Sequence, residues 1–304
     1  MSSRRVTGRG RKLEWWAVWL MLPAICLFTM LVLIPIVVAL ILSFTSWSGV
    51  GPVHFAGLSK WSELFHDSTA GASLERSGVV VGVSWLLQEP IAIALGIYIA
   101  GRQHYRAFLS AIYFLPLLIS GAGIGIMWSN MLSPIGGGVQ YAGIHFGLGF
   151  LNNDWLGNPS LVLGTVVILV SWEFIPFHML LYQAGTRQIP TTLYEAAALD
   201  GITSWGRIRF VTIPMLRNTI VTSSVLNIVG SLTVFDLIYT LTQGGPGEST
   251  RVFSLDQYIV GFGEMHFGYG SVLAVALGGI GIIISLVLIR VTGFGRMKSE
   301  MEGA

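Results

Sequence analysis

Glu89, Glu173 and Asp236 each fall inside a long apolar stretch of chain. A carboxylate in the middle of a membrane span costs about 2.5–3.5 kcal/mol on insertion scales, so each needs a partner or a use. Glu173 stands between Trp172 and Phe174. A carboxylate accepts hydrogen bonds from hydroxyls, and an aromatic face takes the C–H face of a ring, so this trio suits a sugar. Asp236 shares a helical face with Tyr239 and Gln243, three and seven residues on. Ser223, Asn227 and Ser231 recur every four residues. Such a narrow polar stripe either lines a path or makes a close helix contact. Trp172, Glu173, Asn227, Asp236 and Tyr239 are therefore the candidates for a substrate pathway. Trp128, Asn130 and Tyr182 are further aromatic and amide candidates. Glu89 follows Gln88 and precedes Pro90, and its plain reading is a hydrogen bond to a neighbouring helix or subunit.

Covalent chemistry has no comparable support. No Gly-x-x-x-x-Gly-Lys-(Ser/Thr) occurs, so the phosphate-binding loop of an ATPase is missing. No Gly-x-Ser-x-Gly nucleophile elbow occurs either. The six His are scattered without metal-ligand spacing, and Cys26 is the only cysteine, so no intrachain disulfide or cysteine metal cluster can form. No catalytic residue and no metal site is assigned. No basic domain suited to nucleic acid is present. Gly278, Gly279 and Gly281 lie in mid-span, where glycine is expected to permit close helix packing.

The elements that position these residues follow from composition. The chain has 304 residues, 53% hydrophobic and 11% charged, with mean hydropathy +0.71. Soluble domains carry about 25% charged residues. The fold class is an all-α membrane protein. Six apolar stretches, near 16–43, 79–100, 107–129, 161–184, 215–242 and 270–291, are long enough to span, since a span takes about 20 residues. The first is too long for a signal-peptide core and reads as an anchor, despite the pair Arg4-Arg5. Trp15, Trp16 and Trp19 mark a membrane interface. With both termini cytoplasmic, the inner side holds Arg4, Arg5, Arg9, Arg11, Lys12, Arg102, Arg106, Arg187, Arg207, Arg209, Arg217, Arg290, Arg296 and Lys298. Only Lys60, Arg76 and Arg251 fall outside, and the positive-inside rule selects this orientation. The division is a basic cytoplasmic tail at 1–14, a transmembrane domain at 15–293 containing a cytoplasmic loop at 186–214, and a tail at 294–304.

That loop is comparatively polar and basic between two apolar segments. Thr192-Leu193-Tyr194-Glu195 fits a capping box. Asp200-Gly201 is a natural helix stop, because glycine tolerates the left-handed conformation. Ser204 is placed to cap a second short helix reaching Phe210, and Pro214 opens the next span. The expected shape is helix, turn, helix on a membrane surface.

Glu195-Ala196-Ala197, three residues, Gly201 and then Val211-Thr212-Ile213-Pro214 resemble the cytoplasmic EAA loop of ABC-importer permeases, with Val211 for Ile and Ile213 for Leu. Phe55-Ala-Gly-Leu-Ser-Lys-Trp61 is similar to the phrase after the first helix of sugar-type permeases, with Lys60 for Asn. The run Phe235 to Pro246 resembles the phrase F-D-x-I-Y-x-L-T-x-G-G-P at every fixed position. The resemblance, from about Trp15 to Gly293, is to a permease subunit of a carbohydrate-type ABC importer of the maltose and glycerol-phosphate permease kind. It implies a type I importer permease fold in the bacterial cytoplasmic membrane. It also implies a second homologous permease, an ATPase subunit dimer that binds ATP and Mg, and an extracytoplasmic solute-binding protein. The sugar and membrane lipid are the remaining partners. In that family the loop docks on the ATPase, which assigns Leu193, Glu195, Ala196, Ala197, Asp200 and Gly201 to coupling. The alternatives are a secondary transporter driven by an ion gradient, with the three carboxylates relaying protons, and an ABC importer of a non-sugar solute such as a glycerophosphodiester. An intramembrane enzyme has no paired catalytic motif to rest on.

Overall fold

The computed structural model describes residues 15–101 and 103–292. The tails 1–14 and 294–304, and with them Arg4, Arg5, Arg9, Arg11, Lys12, Arg296 and Lys298, lie outside the described residues, as does Arg102. The first apolar run forms α1 (Trp15–Phe28), a π-type segment (Thr29–Leu33) and α2 (Ile34–Leu42). Nothing in its membrane-length stretch, Trp19–Leu42, is buried by the rest of the chain. A helix that is apolar all round suits lipid. After α3 (Ser59–His66) comes α4 (Ser68–Ile99), which begins well before its apolar run. The cause is Asp67, whose carboxylate accepts from the backbone N–H of Thr69 and Ala70 and caps the helix.

The third span is broken. α5 (His104–Phe114) passes through a 3-10 turn at Leu115–Leu118 into α6 (Gly121–Met131), and the two halves meet at 92°. Pro116 ends regular pairing, Ile119 and Ser120 are extended, and the Ser120 hydroxyl caps α6 through Gly123 N–H. Beyond α7 (Gly138–His145), α8 (Pro159–Gln188) is a continuous span. The loop that follows holds α9 (Thr191–Leu199), α10 (Ser204–Arg207), a π-type segment (Ile208–Thr212) and α11 (Ile213–Met215). The fifth span is also broken: α12 (Arg217–Thr233) turns by 41° at Val234 and Phe235 into α13 (Asp236–Thr242). After α14 (Phe253–Tyr258), α15 (Phe267–Thr292) is the last span. The six expected spans are thus four continuous helices and two bent pairs.

The core lies where α4 and α8 run together, with α12 against both. Val80, Val166 and Val170 are fully buried near one end, and Ala92, Ile99, Met179 and Tyr182 near the other. Gly96 permits the approach: a Cβ there would stand 2.5 Å from Tyr182 Cβ and 2.9 Å from the Met179 carbonyl oxygen. Gly278 and Gly279 behave differently from expectation. A Cβ at either meets nothing within 4 Å, so their packing role is not played within this chain.

The two ends of the bundle are distinct. At one, Ser73 near the start of α4 reaches Asp256 of α14, and Tyr269 reaches Asp67. At the other, Arg187 reaches Ala100 just past the end of α4, and Arg217 reaches Thr292 at the end of α15. Lys60, Arg76 and Arg251 belong to the first end. Arg106, Arg187, Arg207, Arg209, Arg217 and Arg290 belong to the second.

Candidate functional site

The loop at 191–215 presents an exposed face on an anchored frame. α9 follows Pro190, which caps through no side chain, and Thr192 lies inside the helix. The expected capping box therefore does not form: the helix is entered at Pro190, two residues too early for Thr192 to sit at the cap. The second helix is capped by Thr203, not Ser204, through Gly206 N–H at 3.2 Å. It ends at Arg207 and continues as a π-type segment instead of running to Phe210 as α-helix. The stop at Gly201 is as expected, with φ +74°. Asp200 N–H and Ile202 N–H close the turn on the Ala196 and Ala197 carbonyls. Ala197 is buried and the Tyr194 hydroxyl meets Thr212 Oγ1 at 3.0 Å, which holds α9 to the start of the next span. Leu193, Glu195, Ala196 and Asp200 point to the exposed side, Leu199 is 90% exposed and Trp205 is 70% exposed. Leu199 and Trp205 are thus two large apolar side chains left uncovered on a short segment.

A second constellation lies in the bundle. Asp236 opens α13 at the break in the fifth span, and its carboxylate packs on Gly121, which opens α6 at the break in the third. A side chain at Gly121 would sit 2.5 Å from Asp236 Oδ2, and one at Gly125 would overlap Thr240. Both discontinuities thus meet at one level. Broken helices at membrane depth are tolerated only where they are buried or line a cavity. Glu173 is buried within electrostatic reach of Asp236, and its Oε2 has no hydrogen-bond partner among the described residues. Tyr239 stacks on Phe235 at 5.4 Å and meets Tyr258 edge-on at 5.3 Å. Gln243 lies past the end of α13 with φ +51°, off the helical face that Asp236 and Tyr239 share. Trp172 packs edge-on against Trp128 at 5.7 Å and lines an apolar cavity of about 480 Å³ to which Glu173 does not contribute.

Asn227 belongs to a different cluster. Its amide donates to Gln88 Oε1 at 2.8 Å, and Ser231 reaches Asn227. Ser223 donates to Glu89 at 2.9 Å, and His178 Nδ1 lies 2.8 Å from Ser223 Oγ. The Tyr182 hydroxyl also donates to Glu89. The polar stripe of α12 is therefore a helix contact against α4, and the plain reading of Glu89 describes its surroundings. His178 escaped the sequence reading. Its spacing of four from Tyr182 on one face of α8 was the available signal.

Residues 92–295 match the family described as binding-protein-dependent transport system inner membrane component. A probable ABC transporter permease protein of Pyrococcus horikoshii is 30% identical over 285 residues, covering 92% of this chain and 95% of that protein. The lactose transport system permease protein of Rhizobium radiobacter is 29% identical over 84% of this chain and 87% of its own length. The fold matches a chain of a bacterial ABC transporter involved in import of the acidic polysaccharide alginate, with TM-score 0.81 and 23% identity over 94% of this chain and 97% of that one. The chain therefore belongs to the family of binding-protein-dependent transport system inner membrane components and is an ABC transporter permease subunit.

Proposed function

We propose that this permease imports a sugar across the bacterial cytoplasmic membrane, driven by an ATPase dimer that docks on α9. The observation that carries the docking is the exposed face of Leu193, Glu195 and Leu199 on a helix pinned to its neighbours through Ala197 and Tyr194. ATP and Mg bind the partner ATPase. When that dimer closes, α9 moves with it. Because α9 is joined to α8 on one side and to α12 on the other, the movement reaches both spans as rigid bodies. The spans then alternate between inward- and outward-open states. A solute-binding protein delivers the sugar on the opposite side, and a second homologous permease completes the path.

Sugar as cargo is supported by relatives named for lactose, starch degradation products and diacetylchitobiose. It is also supported by the meeting of two broken spans beside Asp236, Glu173 and Tyr239, since discontinuous helices supply the binding groups of many transporters. Membership of the ABC family sets aside the ion-gradient alternative.

The test is reconstitution with the copurified partners. Glu195→Ala and Gly201→Asp should lower sugar uptake and sugar-stimulated ATP hydrolysis together, leaving the permease folded. Unchanged coupling in both variants would remove the docking assignment.

A further inference from the structure

A cavity of about 560 Å³ opens beside α9 at the arginine-rich end of the bundle. Its walls come from the ends of two spans, Ile97, Ala100 and Gly101 at the end of α4 and Thr186 and Ile189 at the end of α8, and from the loop residues Thr191, Tyr194, Ser204, Ile208 and Thr212. Arg106, Arg187 and Arg207 also line it, and among the described residues no carboxylate does. None of the three forms a salt bridge among the described residues.

The arginines are held in place by other means. Arg106 packs over Gly101, where a side chain would overlap its guanidinium, and lies 4.8 Å from the centre of the Tyr98 ring. Its Nε and Nη1 donate to the Tyr105 hydroxyl and the Tyr98 carbonyl. Arg187 donates through Nε to the Ala100 carbonyl at 3.3 Å, and Arg207 through Nη2 to Ser204 Oγ at 3.1 Å. A guanidinium carries five N–H donors. Each of these has donors left over, and Thr191 and Tyr194 line the same cavity. Three cations lining one cavity with no paired carboxylate among the described residues form a receptor for phosphate. The cavity lies at the ends of two membrane-length helices, α4 and α8, and Ile97, Ile189 and Ile208 give it an apolar wall. Basic pockets between spans on the cytoplasmic side are suited to phospholipid head groups.

We propose that this cavity binds a phosphate group carried by the head group of an anionic phospholipid. That the cavity faces the cytoplasm rests on the orientation that the basic residues select. A head group here touches Thr191 and Tyr194 of α9, so its occupancy stiffens the joint between the docking helix and the spans.

The experiment is native mass spectrometry of the purified transporter complex after exchange into nanodiscs of phosphatidylglycerol or of phosphatidylcholine. The wild-type complex should retain phosphatidylglycerol in preference. Arg187→Gln with Arg207→Gln should lower retention about tenfold or more. Arg217→Gln removes a charge at the same end outside the cavity and should leave retention unchanged. Arg187→Lys with Arg207→Lys should restore part of it, which separates charge from misfolding. A parallel arm measures melting with inorganic phosphate in lipid-free detergent. Arginine-dependent stabilisation by phosphate without lipid retention would overturn the lipid as the carrier. Equal retention of the two lipids with no phosphate effect, or equal loss in Arg217→Gln, would overturn the site. Because retention is read without transport, its failure leaves the docking of α9 standing, and the failure of docking leaves the lipid measurement valid.

Discussion

At the residue scale, the three intramembrane carboxylates separate by what surrounds them. Glu89 accepts from Tyr182 and Ser223 and lies 3.8 Å from His178 Nδ1, so it is the hub of a buried network joining α4, α8 and α12. Leucine in its place leaves the Tyr182 hydroxyl without its acceptor and removes one of the two partners of Ser223. Each orphaned group costs about 1–3 kcal/mol. Glu89→Leu should therefore melt well below wild type in detergent, and Glu89→Gln, which keeps an acceptor oxygen, should lose less. Equal melting of Glu89→Leu and wild type would show that the network contributes nothing. Asp236 is exposed at the meeting of the two breaks. Its carboxylate has no such structural duty, so Asp236→Asn should keep the melting temperature and weaken uptake. Sugar-uptake kinetics on proteoliposomes would read this as a raised KM. All three acids were legible in sequence as charges out of place. Their partners were not, because Glu89 and Tyr182 are 93 residues apart in the chain.

At the element scale, the close approach of α4 and α8 depends on Gly96. Gly96→Leu forces a side chain into Tyr182 and the Met179 carbonyl, and overpacking of this kind costs about 1–3 kcal/mol. Gly278→Leu meets open space within the chain and should leave the melting temperature of the isolated permease nearly unchanged, within about 0.5 kcal/mol. A thermal unfolding comparison of the two variants checks both. Gly201 has φ +74° and nothing near its Cβ position, so Gly201→Ala is strained by backbone alone. It should cost about 1–2 kcal/mol locally, with fraying of α9 visible as faster amide exchange at Ala198 to Ile202. The helix stop there was readable in advance because it is a single-residue property. The capping box was not, since Thr192 satisfies the pattern but Pro190 sets the phase of the helix.

At the scale of the whole molecule, the bundle has an arginine-rich end carrying α9 and an opposite end carrying α14. Leu199 and Val50 are 90% and 78% exposed at these two ends. Single-cysteine variants at each, in a background where Cys26 is replaced by Ser, test the orientation. Leu199→Cys should react with a membrane-impermeant maleimide only from the cytoplasmic face, and Val50→Cys only from outside. The reverse pattern would invert the assignment. Exposure of the first span along its length fits a helix that meets lipid instead of the core.

Sequence by itself determined the class, the apolar stretches long enough to span, the sign of the charge asymmetry and the position of the short helix stopped by Gly201. Each of these is a local property: hydropathy needs only about 20 consecutive residues, and a helix stop needs one glycine. Tertiary structure decided what lies opposite what. It turned the stripe of Ser223, Asn227 and Ser231 into a contact with Gln88 and Glu89, and brought Asp236 onto Gly121. It also gathered Arg106, Arg187 and Arg207 around one cavity. Apolar periodicity carries no record of these meetings, because every face of a spanning helix can be apolar whether it touches lipid or protein. Only the packing of distant segments distinguishes the two.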